Sequence, residues 1–136
     1  MKVDYTSVVD WRTCTDQLCC NPLFHGHERY DHALIEDGGD HLFVHFLHLF
    51  QVKFGTRLHS LAYVKPYCRP SGRMRCKDRD LGTYRLQLQA SQSRIISLES
   101  VVCGALIVPD VDKPEEYLVV DTVDTDMFLR MKQLEF

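Results

Sequence analysis

Three carboxylates near the C-terminal end, Asp121, Asp124 and Asp126, are the residue type and spacing that hold a divalent metal. Carboxylates gathered at a strand end bind magnesium for phosphoryl transfer, the chemistry of nucleases and transposases. The position argues against it, because too little chain follows to supply the helices and later acids of such a core. The competing reading leaves Asp121 exposed on an alternating strand and makes Asp124 or Asp126 a helix cap, since Asp124 precedes Thr-Asp and then an apolar stripe. A second group, Cys14, Cys19, Cys20, His25 and His27, offers thiolates and imidazoles suited to zinc. Its spacing, C-x4-C-C-x4-H-x-H, lacks the C-x2-C and H-x3-H pairs of common fingers, so ordinary thiols compete with the metal reading. His41, His45 and His48 are close in sequence, but on a strand His41 and His45 share a face while His48 points away. No Ser-His-Asp order, phosphate loop or dinucleotide fingerprint is present, and no cofactor is expected.

The richest lead is basic. Lys65, Arg69, Arg73, Arg75, Lys77, Arg79 and Arg85 fall in one stretch against only Asp78 and Asp80. Arg69, Arg73, Arg75, Lys77 and Arg79 would line phosphates, with Tyr67 to stack on a base. The alternative is that this stretch is solvated, or docks on the acidic region 110–126 of the same chain. The whole chain carries a net charge of −3, so any affinity for nucleic acid must come from such a local patch.

The elements that must position these groups read as mostly β. At 136 residues the chain is of single-domain length. Residues 41–67 are the organising stretch, a long antiparallel hairpin turning at Phe54-Gly55-Thr56, although a helix over 41–52 remains open. Leu42, Val44, Phe46, His48 and Phe50 fall on one face of its first strand. Pro66 and Pro70 are expected to end the second. Further strands are expected over 29–36, 84–89, 94–108 (with a turn near Glu99-Ser100) and 117–123. A helix is expected over 124–136 with Met127, Phe128 and Met131 on one side. The sum is a small antiparallel β-barrel of six or seven strands with a short C-terminal helix. Residues 1–28 read as an irregular N-terminal arm and 29–136 as the barrel-like domain.

No apolar run is long enough to cross a membrane, and the N-terminus lacks a signal-peptide core, so a membrane-free intracellular chain, nuclear or cytoplasmic, is expected. Six cysteines in such a chain read as free thiols or metal ligands. The abrupt first and last residues suggest a piece of a larger polypeptide.

Several blocks carry a likeness. They are Asn21-Pro22, Phe24-His25-Gly26, Arg29-Tyr30-Asp31, Lys77 to Leu81, ISLESVVCGALIVPD at 96–110 and Asp124 to Arg130 within YLVVDTVDTDMFLRM. Across most of 14–132 the chain resembles a domain of basidiomycete fungal transposon-encoded proteins, in elements of the KDZ and related types. That resemblance implies origin and a nuclear context, and supplies no activity to assign residue by residue. The segment ISLESVV at 96–102 also resembles bromo-adjacent homology modules, which are β-barrel chromatin-binding domains. The expectation is a non-catalytic nucleic-acid- or chromatin-binding module of a transposon-derived protein. The alternatives are a metal-dependent nuclease or transposase fragment, or a structural domain packing on a transposase core.

Overall fold

The computed structural model of the chain describes residues 1–70 and 82–134. The N-terminal stretch forms β1 (Lys2–Thr6), β2 (Thr13–Gln17), β3 (Cys20–Phe24) and β4 (His27–Tyr30). It is therefore not the irregular arm expected. β1 pairs with β2 and β3 with β4 as two antiparallel hairpins. These strands are short and polar, so their alternation is nearly invisible in the sequence. Only Val3 of β1 is fully buried.

The expected first strand is broken at Asp31, which separates β4 from β5 (His32–Asp37). The Asp31 carboxylate accepts hydrogen bonds from the Cys19 N–H and the Arg29 guanidinium. Its carbonyl accepts the Phe46 N–H. These bonds give the chain a reason to pivot at Asp31.

β6 (Asp40–Phe54) and β7 (Arg57–Cys68) build the long hairpin, closed at Gly55, whose φ of 62° a two-residue reversal of this kind requires. Along β6 the side chains alternate between two cores, one on each face. Leu34 and Phe43 enter one core, while Ala33, Ile35, Val44 and Phe46 enter the other. A bulge then shifts the register, since Phe46 pairs with Val64 but His48 pairs with Tyr63. The extra residue, Leu47, reverses the parity. Leu49 therefore joins the core of Val44 and Phe46, and His48 returns to the side of His45. The expected separation of His45 from His48 is corrected by this one insertion.

The chain continues through β8 (Tyr84–Leu88), β9 (Arg94–Ser97), a 3-10 turn (Leu98–Ser100), β10 (Val101–Ala105), β11 (Ile107–Pro109), β12 (Glu116–Val119) and α1 (Thr125–Gln133). The principal sheet has the order β10-β5-β6-β7-β8-β12-β11, with β9 also pairing β7. Pro66 lies inside β7 rather than ending it. The free edge of β7 changes partner there, from β9 at Leu61–Val64 to β8 at Tyr67 and Cys68. The Pro66 carbonyl on that edge accepts the Gln89 N–H, so its missing N–H falls where the ladder changes strands.

The expected closed barrel is not shown, because among the described residues the terminal strands β10 and β11 of the sheet do not pair with each other. They follow each other through the single residue Leu106, so the two ends of the sheet lie next to one another. The architecture is mainly β, with one C-terminal helix, and among the described residues more, shorter strands than the six or seven expected. Met127 and Met131 of α1 enter the core that holds Phe43, Tyr67, Tyr84 and Leu86. Phe128 stays partly exposed. Among the described residues no helix is long and apolar enough to cross a membrane.

Candidate nucleic-acid interface

The basic stretch leaves the sheet at the end of β7 and returns at β8, and these two strands are antiparallel neighbours, Cys68 pairing with Gln87. Both ends of the stretch are thereby held together at one place. Arg69 is exposed there and lines a cavity of about 390 Å³ with Asp40, His41 and Leu134. Arg73, Arg75, Lys77 and Arg79 lie outside the described residues.

Tyr67 is not a stacking surface. It is 6% exposed, and its ring centroid lies 5.3 Å from Tyr117 and 5.8 Å from His32, inside the α1-side core. Burial raises its phenol well above the ordinary value, with Tyr117 adding to the effect. Alternation places it there, because Tyr67 shares its face with residues that α1 covers.

Arg85 turns inward as well. Its guanidinium pairs with the Asp110 carboxylate and lies 3.0 Å from Glu116, with side chains mostly buried. The hydrogen bond from Arg85, reinforced by the Asp112 N–H, holds the Asp110 carboxyl below its ordinary range. For this one member of the basic stretch, docking on the acidic region of the same chain is what occurs.

Two of the three acids, Asp124 and Asp126, are engaged in structure. Asp124 is the N-cap of α1, its side chain accepting the Asp126 N–H at 2.9 Å. Asp126 accepts the Val8 N–H at 2.6 Å and the Arg130 Nε at 2.6 Å, while Arg130 also donates to the Thr6 carbonyl. Burial alone pushes the Asp126 carboxyl up, but Arg130 and the Val8 N–H outweigh it and hold the group below its ordinary value. Asp126 thus ties the helix to the turn after β1. Asp121, expected to be exposed, is buried two residues beyond the end of β12. Among the described residues no group of three or more His, Cys, Asp or Glu side chains is placed to hold a metal, and this includes Cys14, Cys19, Cys20, His25 and His27. Cys14, Cys19, Cys20, Cys68 and Cys103 are free thiols. Burial pushes the Cys103 thiol up to about 12, which keeps it protonated and unreactive.

His45 and His32 meet, Nδ1 to Nε2 at 2.7 Å. Burial first, then the neighbouring His45, lowers His32 to about 4, while burial and Lys65 lower His45. The pair is neutral and shares one proton as a hydrogen bond.

A feature not singled out from the sequence is the distribution of acids. Residues 41–77 hold seven Lys and Arg and no Asp or Glu, whereas the rest of the chain holds nine against nineteen. The structure gathers this acid-free run onto one hairpin and the sheet edge where the basic stretch begins. Gln51 to His59, at the hairpin's far end, are exposed on both faces, among them Lys53, Phe54, Arg57 and Leu58. Counting acids rather than bases would have exposed this from the sequence alone.

Comparison with protein-family models, with curated proteins and with solved structures finds no match.

Proposed function

We propose that the chain is a non-catalytic nucleic-acid-binding module, contacting phosphates through Arg69, Arg73, Arg75, Lys77 and Arg79. The observation that carries this reading is the segregation of charge. A net-acidic chain confines its acid-free run to one hairpin and the basic stretch that follows it. A polyanion gains from such a surface by releasing counterions, whatever its sequence. The engagement of Asp124 and Asp126 in capping and tethering the helix weighs against the nuclease reading. The likeness to transposon-encoded and chromatin-binding domains supports a nuclear setting within a larger protein.

The test is affinity for duplex and single-stranded DNA across a salt series. Binding should fall steeply with salt. Changing Arg73, Arg75 and Lys77 to Ala should flatten the slope of log K against log salt by about 2 to 3. No binding at low salt would overturn the proposal, and unchanged binding in the triple variant would remove these residues from it.

A further inference from the structure

The two faces of the β6–β7 hairpin end differ in what they show to solvent. Downstream of the bulge, His48 pairs with Tyr63, Phe50 with Leu61, Val52 with His59 and Phe54 with Arg57. Directly paired residues share a face, so these side chains form one stripe. Lys65 lies on the same face of β7, two residues beyond Tyr63. The core covers this face at Tyr67; outward of it Phe50 and Leu61 are half-buried, while His48, Tyr63, Val52, His59, Phe54 and Arg57 are exposed. Tyr63 is 41% exposed and Phe54 81%. The rings of His48 and Phe50 lie nearly parallel, 6.0 Å apart at 21°.

The stripe sets aromatic rings between two cations, Arg57 at the hairpin end and Lys65 toward the core. Along β7 it runs Arg57, His59, Leu61, Tyr63, Lys65, every second residue, roughly 7 Å apart. β9 supports β7 at Leu61–Val64, but from Gln51 to Ser60 the described residues form a two-stranded ribbon, and an exposed apolar face there is unfavourable in water unless something covers it. A second copy of the chain is a poor cover, because a self-complementary contact would press Arg57 and Lys65 against their own counterparts. A duplex offers phosphates but hides the faces of its bases in the stack. A single strand offers both phosphates and free base faces.

We infer that this stripe is a stacking platform for single-stranded nucleic acid, with Phe54 and Tyr63 stacking bases and Arg57 and Lys65 meeting phosphates. The inference rests on the nucleic-acid reading above and adds to it the form of the ligand and a second surface. It also moves base stacking from Tyr67, which is buried, to rings that solvent reaches.

The experiment measures anisotropy of a labelled oligothymidylate and of a labelled duplex with the whole chain at low salt. Wild type should prefer the single strand. Phe54→Ala and Tyr63→Ala should each weaken oligothymidylate binding roughly 5- to 150-fold, the effect of removing one stacked base. Tyr63→Phe should keep wild-type affinity, and duplex binding should hardly move. Both positions are exposed, and a thermal melt checks that each variant folds. Salt-steep binding that ignores Phe54→Ala and Tyr63→Ala overturns the platform and leaves the basic stretch as the contact. No binding of either probe overturns both readings. Concentration-dependent dimerisation abolished by Phe54→Ala, or binding to anionic vesicles with none to oligothymidylate, assigns the stripe to another partner and overturns the inference.

Discussion

The two ends of the β6–β7 hairpin are made from the same strands and the same kinds of residue, yet one is a core and the other is a bare surface. At the packed end Phe43 and Phe46 are 1% and 0% exposed, roofed by neighbouring strands and α1. At the far end Phe54 is 81% exposed and every residue from Gln51 to His59 meets solvent. The charges differ in the same way. Around the packed end, Arg85 of β8 pairs with Asp110 and Glu116, and Arg130 of α1 with Asp126. Lys53 and Arg57 stand on a hairpin whose own sequence has no acid after Asp40. Folding has covered one end and left the other open to solvent.

The largest expected effect separates the two ends by stability. Phe46→Ala should lower the unfolding free energy by about 3–5 kcal/mol, since it empties a fully buried site. Phe54→Ala should change it by no more than about 0.5 kcal/mol. Urea titration of both variants checks this. A large loss at Phe54 would mean the far end is part of the core and would break the comparison.

The second effect tests the internal ion pairs. Arg85→Ala should cost about 3 kcal/mol, because the Asp110 carboxylate is left mostly buried without its cation. Replacing Arg85 and Asp110 together by apolar residues should cost less than Arg85→Ala alone, since the Asp110 charge is removed with its cation and Glu116 keeps Lys113 within 3.9 Å. A double variant as unstable as the sum of its parts would show that the pair contributes through packing and not through charge.

Much of this division was legible in the sequence, and its limits have physical causes. The hairpin over 41–67, its turn at Phe54-Gly55-Thr56, the strand at Tyr84 and the helix cap at Asp124 each rest on local chemistry that a sequence displays. The hidden features are those that depend on partners far along the chain. The bulge at Leu47 obeys no residue preference, yet it exchanges the faces of everything from His48 to Phe54. β1 to β4 are held by pairing and by tethers such as Asp16 to the Gly104 N–H and Asp126 to the Val8 N–H, across separations no periodicity reveals. Tyr67 read as a free aromatic beside a basic stretch because α1, which covers its core, is distant in sequence.

The third effect is a pH dependence confined to the packed end. His32 titrates near 4 in the folded chain and near its ordinary value of about 6.5 when unfolded. Between these values the unfolded chain binds more protons, so stability is complete above about 6.5 and declines as pH falls toward 4. The thermal midpoint should drop over that window, and His32→Gln should shallow the drop. Phe54→Ala should leave the profile unchanged. An unaltered profile in His32→Gln would assign the loss over this window to His45, which burial also lowers, because the lowered carboxyls of Asp110 and Asp126 lose their contribution only at lower pH.

The smallest effect decides what the C-terminal acids are for. As an N-cap, Asp124 satisfies one backbone N–H of α1, and Asp124→Ala should cost about 1 kcal/mol. Asp124→Ser should recover most of it, because a serine hydroxyl accepts the same hydrogen bond. A metal ligand would behave differently. Serine is a poor substitute for a carboxylate toward magnesium, and the ion would raise the thermal midpoint of wild type but not of the variant. The cap therefore requires rescue by serine together with a midpoint indifferent to magnesium. If serine fails and magnesium stabilises, the packed end holds a site of its own, and its contrast with the far ribbon fails.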